Sequence, residues 1–296
     1  MHIAEENRAR LSLLASMLIW GSIGVFRRYI ALPSGVVAML RGAGGMLFLL
    51  LLMLLSGKRL SISAVRRNAL PLLLSGACIG FNWILLFEAY RYTSVASATL
   101  CYYMAPVIVL LLSPLLLRER LTARKLVCVL IALAGMALVS GLFEPGQGDA
   151  NSLHGVLLGL SAAVFYAGVI LTNKRISGIS PTDRTIIQLG VAAAVLLPYT
   201  LLTGELFSLS AQPLSWVMLA VVAIVHTGLA YALYFGSMSL LRAQTVALMS
   251  YIDPLAAILL SALLLGEPLT PLTFLGALLI LGGTLASELP EKSKTA

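Results

Sequence analysis

Residues 100–135 read LCYYMAPVIVLLLSPLLLRERLTARKLVCVLIALAG, and residues 248–283 read LMSYIDPLAAILLSALLLGEPLTPLTFLGALLILGG. Laid side by side without a gap, 148 residues apart, they match at Tyr103/Tyr251, Pro106/Pro254, Ser113/Ser261, Glu119/Glu267, Thr122/Thr270 and Gly135/Gly283. Leucine matches between apolar segments carry little information. Tyrosine, proline, serine, glutamate, threonine and glycine pairs kept in one register carry much more. A period this long means a duplicated half-protein, not a solenoid of short units.

The apolar character of both copies extends along the whole chain. Of 296 residues, 59% are hydrophobic and 11% are charged, against roughly 25% charged in soluble domains. A bilayer core about 30 Å thick asks for runs of about 20 apolar residues. Such runs must be helical, because lipid offers the backbone no hydrogen-bond partners. The chain therefore reads as an all-α polytopic membrane protein. Ten spans are expected, at 11–29, 34–56, 69–90, 95–117, 124–142, 153–173, 185–203, 214–236, 244–265 and 271–288. They form a first five-helix repeat (1–142), a linker (143–152, FEPGQGDANS), a second five-helix repeat (153–288) and a polar tail (289–296). The first span lacks a small-residue cleavage site and is expected to be retained.

Charge placement gives the orientation. Arg8, Arg10, Lys58, Arg59, Arg66, Arg67, Arg118, Arg120, Arg124, Lys125, Lys174, Arg175, Arg184, Arg242, Lys292 and Lys294 fall on the side of the N-terminus. Only Arg27, Arg28 and Arg91 fall on the other, and Arg41 lies within the second span. The positive-inside rule then puts both termini in the cytoplasm. The net charge of +8 reflects this orientation and not a nucleic-acid partner. Five spans per half is an odd number, so the second half enters the membrane the opposite way up. Inverted repeats of this kind are the architecture of alternating-access transporters.

Other classes find little support. Cys78, Cys101 and Cys128 lie in apolar segments without CxxC spacing, so neither a disulfide framework nor a zinc site is expected. His2, His154 and His226 are scattered, and no GxSxG or Walker motif occurs. No enzyme activity, cofactor or metal is expected. A lipid-handling protein remains the alternative from outside transport.

The run AYRYTSVASATLCYYMAPVIVLLLSPLLLRERLT and its second copy SLLRAQTVALMSYIDPLAAILLSALLLGEPLT resemble the core motif of the EamA family in the drug/metabolite transporter superfamily. Trp20-Gly21 in the first span and Arg41 early in the second also fit. The resemblance covers both halves. It implies ten helices, an inverted repeat, a central cavity, and export of small metabolites, amino acids or toxic compounds. In one respect the chain departs from the superfamily: its four-helix multidrug members use a glutamate in the first helix for proton coupling, and the first span here has no carboxylate.

Ionisable groups inside spans are costly and by default mark function. Asn82, Tyr102, Tyr103, His226, Tyr231, Tyr251 and Asp253 fall near the midplane at 1.5 Å per residue, with Arg41 and Glu88 nearer the outer surface. The expected substrate-binding set is Trp20, Arg41, Asn82, Trp83, Glu88, Tyr102, Tyr103, Tyr231, Tyr234 and Tyr251. Aromatic rings suit amino acids, and organic cations through cation–π contact. Arg41 either grips a substrate carboxylate bidentately or pairs with Glu88. Glu88 in turn is either a gate or amine site, or an ion-pair partner of Arg91 on the same helix face. Asp253, Glu88 and His226 are the proton-coupling candidates. Pro106 and Pro254 are expected to break their helices, and a carboxylate beside a broken turn suits a proton or cation site. Glu119 and Glu267 read as loop-fixing residues. Trp216 reads as part of the interfacial aromatic belt, and the glycines at 42, 44, 45, 276, 282 and 283 as points of close helix contact. The partners expected are a small-molecule substrate, the lipid bilayer and protons, with the chain a monomer or a homodimer. A bacterial inner membrane is the expected location. The substrate class stays open between small metabolites such as amino acids and cationic drugs.

Overall fold

The computed structural model describes residues 2–116, 122–139, 150–207, 212–238, 240–241 and 249–288. Among them the chain is all helical. It runs α1 (His2–Arg28), α2 (Ser34–Leu55), α3 (Ile62–Arg67), α4 (Ala69–Tyr92), α5 (Val95–Tyr102), α6 (Ala105–Leu116) and α7 (Ala123–Val139). It continues through α8 (Ala150–Asn173), α9 (Pro181–Leu202), α10 (Pro213–Val221), a π-helical segment (Val222–Leu229), α11 (Ala230–Met238), α12 (Ile252–Leu265) and α13 (Pro271–Glu288). Seven described helices are long and apolar enough to cross a membrane, α5–α6 and α10–α11 each counting as one, and α12 and α13 are shorter apolar helices. Leu54, Leu130, Val217, Leu263 and Phe274 point outward, an apolar exterior that a soluble monomer does not present on this scale. Residues 143–149 of the linker, the tail, Glu119 and the start of the expected span 244–265 lie outside the described residues, and the linker's last three residues, 150–152, belong to α8 instead.

Two expected spans are not simple rods. The span at 95–117 is two helices, because Pro106 has no N–H to offer the carbonyl of Tyr102. The chain turns at Tyr103 and Met104, with Met104 N–H donating to Cys101 O at 3.1 Å, and α6 then begins afresh. Pro254 sits in the first turn of α12, where a missing N–H costs nothing. The span at 214–236 carries a two-turn π segment in its middle. Such insertions are rare and concentrate at functional sites.

Packing respects the duplication. α1 lies along α12 as α5 and α6 lie along α8. α4 lies along α9 as the π segment lies along α2, and α4 meets α8 as α11 meets α1. The pairs α2–α9 and α7–α13 each join equivalent helices of the two halves. Small residues allow this closeness. A Cβ on Gly135 would fall 2.7 Å from Gly276 O, and one on Gly283 would fall 3.0 Å from Cys128 O. Gly282, by contrast, faces open space, so the close-contact role expected of it does not hold.

Candidate functional site

The halves enclose a cavity of about 450 Å³ whose wall is drawn from α1, α2, α4, α5–α6, α8, α9, α11 and α12. That volume lies in the usual range for small-molecule sites. Trp20, Arg41, Asn82, Trp83, Tyr102, Tyr103, Pro106, Tyr231, Tyr234, Tyr251 and Asp253 all line it.

Arg41 is almost wholly buried, yet among the described residues it forms no ion pair; those present are Arg10–Glu6, Arg28–Glu267 and Arg91–Glu88. Its guanidinium lies over the Trp83 ring at 3.9 Å, with Phe87 at 5.5 Å. Stacking of a desolvated guanidinium on indole is worth about 2 kcal/mol. Nε donates to Thr227 Oγ1 at 2.8 Å. The Thr227 hydroxyl donates in turn to Val222 O, five residues back, at 3.0 Å. The wide π turn supplies that carbonyl, so Thr227 has its lone pair and not its proton facing Arg41. Stacking and Nε thus fix the guanidinium plane. The paired Nη groups on its far edge are left to hold a planar anion.

Asp253 stands in the first turn of α12, and the Tyr103 hydroxyl donates to its Oδ2 at 2.5 Å. The carboxylate therefore comes from the start of α12 in the second half and the phenol from the break between α5 and α6 in the first. α1 closes over this junction at Gly21, where a Cβ would lie 2.6 Å from Asp253 O. Around these groups the rings pack in chains: Trp20 meets Tyr231 and Tyr234 at 5.1 Å each, and Tyr102 meets Tyr166 at 5.1 Å and Tyr103 at 5.7 Å. The Trp20 Nε1–H donates to His226 O at 2.9 Å, and Asn82 Nδ2 donates to Ala162 O at 2.7 Å. Both side chains also tie helices together.

Two candidates stand away from the cavity. Glu88 accepts from Ser34 Oγ at 2.7 Å and from Arg91 Nη1 at 2.8 Å. It pairs with Arg91, not with Arg41, and sits in a polar cluster with Arg27, whose Nη2 donates to Ser34 Oγ at 2.9 Å. His226 is buried behind the wall, its Nε2 3.0 Å from Ser22 Oγ and its ring edge-on to Phe26. Pro254 is buried and is not among the lining residues. The structure adds lining residues that the sequence reading did not single out: Tyr90, Thr99, Tyr166, Asn173, Arg184 and Gln188. Gln188 Nε2 donates to Asn173 Oδ1 at 2.7 Å and to Ser75 Oγ at 2.6 Å. Arg184 and Gln188, four residues apart, share one face of α9.

At the end assigned to the outside by the charge pattern, Glu267 spans the halves. Gly266, left-handed at φ +65, ends α12 and turns the chain. The Glu267 carboxylate then accepts from Val95 N–H at 3.0 and 2.9 Å and from Arg28 Nη2 at 3.0 Å.

These features define a class: a multi-pass membrane protein whose two related halves wall in a polar, aromatic cavity the size of a small solute. The EamA-like transporter family matches the chain twice, over residues 7–141 and 153–287, and the chain belongs to that family. The uncharacterized transporter YxxF of Bacillus subtilis (strain 168) is 32% identical over 98% of this chain and 92% of its own. An uncharacterized transporter of Archaeoglobus fulgidus is 30% identical over 69% of this chain and 72% of its own. Protein RarD of Salmonella typhi is 24% identical over 90% of both chains. A solved crystal structure covering 96% of this chain and 98% of its own has the same fold, with a TM-score of 0.66 at 20% identity.

Proposed function

We propose that the chain is a secondary active transporter that exports small metabolites such as amino acids across a bacterial inner membrane. It works by alternating access, with both termini cytoplasmic and coupling to protons or to exchange. The observation that carries this reading is the cavity between the halves. It offers the paired Nη edge of the Arg41 guanidinium and a phenol-bonded carboxylate at Asp253, among rings that fit an apolar side chain. The main helix pairings, each of which recurs when the halves are exchanged, support ten spans in two inverted repeats, the arrangement that lets each half adopt the other's pose.

Arg41 holds the substrate carboxylate. Asp253 receives an amine or a proton at the start of α12. Glu267 on α5 closes the outer side and must let go when that side opens. The cation-efflux alternative draws on the aromatic wall. It is weakened by the position of Glu88 outside the cavity, which leaves Asp253 as the lining carboxylate beside Arg41 and Arg184. Counterflow into proteoliposomes, with a panel of amino acids and organic cations, tests the reading. Exchange of amino acids supports it. Exchange of organic cations alone turns it to drug efflux, and no exchange from folded protein returns it to lipid handling.

A further inference from the structure

The cavity has a second cationic pole. Arg184 stands in the first turn of α9 and reads in the sequence as one more positive loop charge, yet its side chain lines the same cavity as Arg41. Its Nε is shielded and has no hydrogen-bond partner among the described residues. It shares the cavity wall with neutral donors and acceptors, Thr185, Gln188, Asn173 and Tyr234, and the described lining holds no carboxylate other than Asp253, which Tyr103 already binds. A shielded guanidinium nitrogen left without an acceptor is costly. An acceptor brought by a ligand would relieve that cost.

The helix register gives the spacing. Gly42, next to Arg41, packs against Leu189 and Ala193 of the antiparallel α9. Arg184 lies five to nine residues back along α9, about 8–13 Å at 1.5 Å per residue. The two arginines therefore leave their helices at different depths of one cavity, whose wall also carries aromatic rings. A solute with one carboxylate engages one of them. A solute with two, joined by a chain of a few carbons, engages both.

Resting on the transport reading above, we propose that Arg184 forms a second anion-binding subsite and that the preferred substrates are elongated dicarboxylates, acidic amino acids included. Arg41 takes one carboxylate and Arg184 the other. The aliphatic chain lies along the tyrosines, and an amino group, where present, faces Asp253.

Counterflow in proteoliposomes would compare L-alanine, L-glutamate, succinate and adipate on wild type, Arg184→Gln, Arg184→Lys and Arg41→Gln. Wild type is expected to favour the dicarboxylates. Arg184→Gln should raise their KM about tenfold, the worth of one charge-assisted hydrogen bond, with alanine within twofold. Arg184→Lys should restore part of the loss, and Arg41→Gln should impair every solute. In detergent, succinate or adipate should raise the Tm of wild type and not of Arg184→Gln. Equal effects of Arg184→Gln on alanine and the dicarboxylates would overturn the proposal, because a charge at the mouth acts on all anions alike. Exchange of alanine with no preference for a second carboxylate would overturn it too and leave the transport reading intact. Exchange of none of these solutes, with no thermal shift, would overturn both.

Discussion

The carboxylate of Glu267 sits on the amino end of α5, both oxygens within 3.0 Å of the Val95 amide, and so joins the two halves at one end of the cavity. The first N–H groups of a helix have no partner in the helix itself, and a negative charge there also meets the positive end of the helix dipole. Arg28 holds the carboxylate from the other side. Replacing Glu267 by Gln keeps the shape and removes the charge, at a cost of about 1–2 kcal/mol in the latched state. That is a five- to thirty-fold shift toward the unlatched state. The readout is labelling of Ser250→Cys by an impermeant maleimide added from outside, in a chain lacking the three native cysteines. Faster labelling in Glu267→Gln is expected. Equal rates would mean that this contact holds a loop and gates nothing.

Arg41 is fixed by a face and by one edge: its plane lies on Trp83 and its Nε on Thr227. Lysine keeps the charge but can do neither. Arg41→Lys and Trp83→Ala are each expected to raise the KM for a carboxylate solute about tenfold or more, and Trp83→Phe less than Trp83→Ala. Full function of Arg41→Lys would show that only charge matters there.

Helix contact is the test of packing. Gly135→Ala places a methyl 2.7 Å from Gly276 O, where backbone must shift. Overpacking of this kind costs about 1–3 kcal/mol, and a lower Tm is expected in detergent. Gly282→Ala meets nothing within 4 Å and should be neutral or slightly stabilising, since alanine favours helix by about 0.5–1 kcal/mol over glycine. Matching effects of the two substitutions would contradict the α7–α13 interface.

Between the spans, Glu205 lies against the start of α2. Burial raises its carboxyl above the ordinary 4.5, opposed by the amides of Val36 and Gly35 and helped by the nearby charge of Glu88. With a raised folded value, the folded chain holds more proton than the unfolded one across the window just above 4.5. Stability from this group therefore falls as pH rises through that window. Thermal melts against pH should show this slope in wild type and lose it in Glu205→Gln. An unchanged slope would assign the dependence to other groups.

The duplication, the helical class and most span limits were legible because apolar length and residue register are properties of the chain itself. The break at Tyr103 was half legible: Pro106 announces a lost hydrogen bond, but not whether the helix kinks or stops. The π segment at Val222–Leu229 leaves no trace in an apolar run, since the wider turn needs no special residue. Depth along a span was read correctly enough to bring Tyr103 and Asp253 to one level. Depth does not give the face, however, and His226 at the same level lies behind the wall. Arg184 was hidden for a related reason. At a helix start, a charge that serves the membrane rule and one that lines a cavity have the same sequence context.

Uptake driven by an imposed pH gradient, compared between wild type and Asp253→Asn in proteoliposomes, tests the central claim most directly. The account predicts that the gradient accelerates amino-acid uptake by wild type and that Asp253→Asn loses this acceleration while the protein stays folded. Gradient-driven uptake by Asp253→Asn equal to wild type would contradict it, and the carboxylate at the start of α12 would then be only a partner for Tyr103.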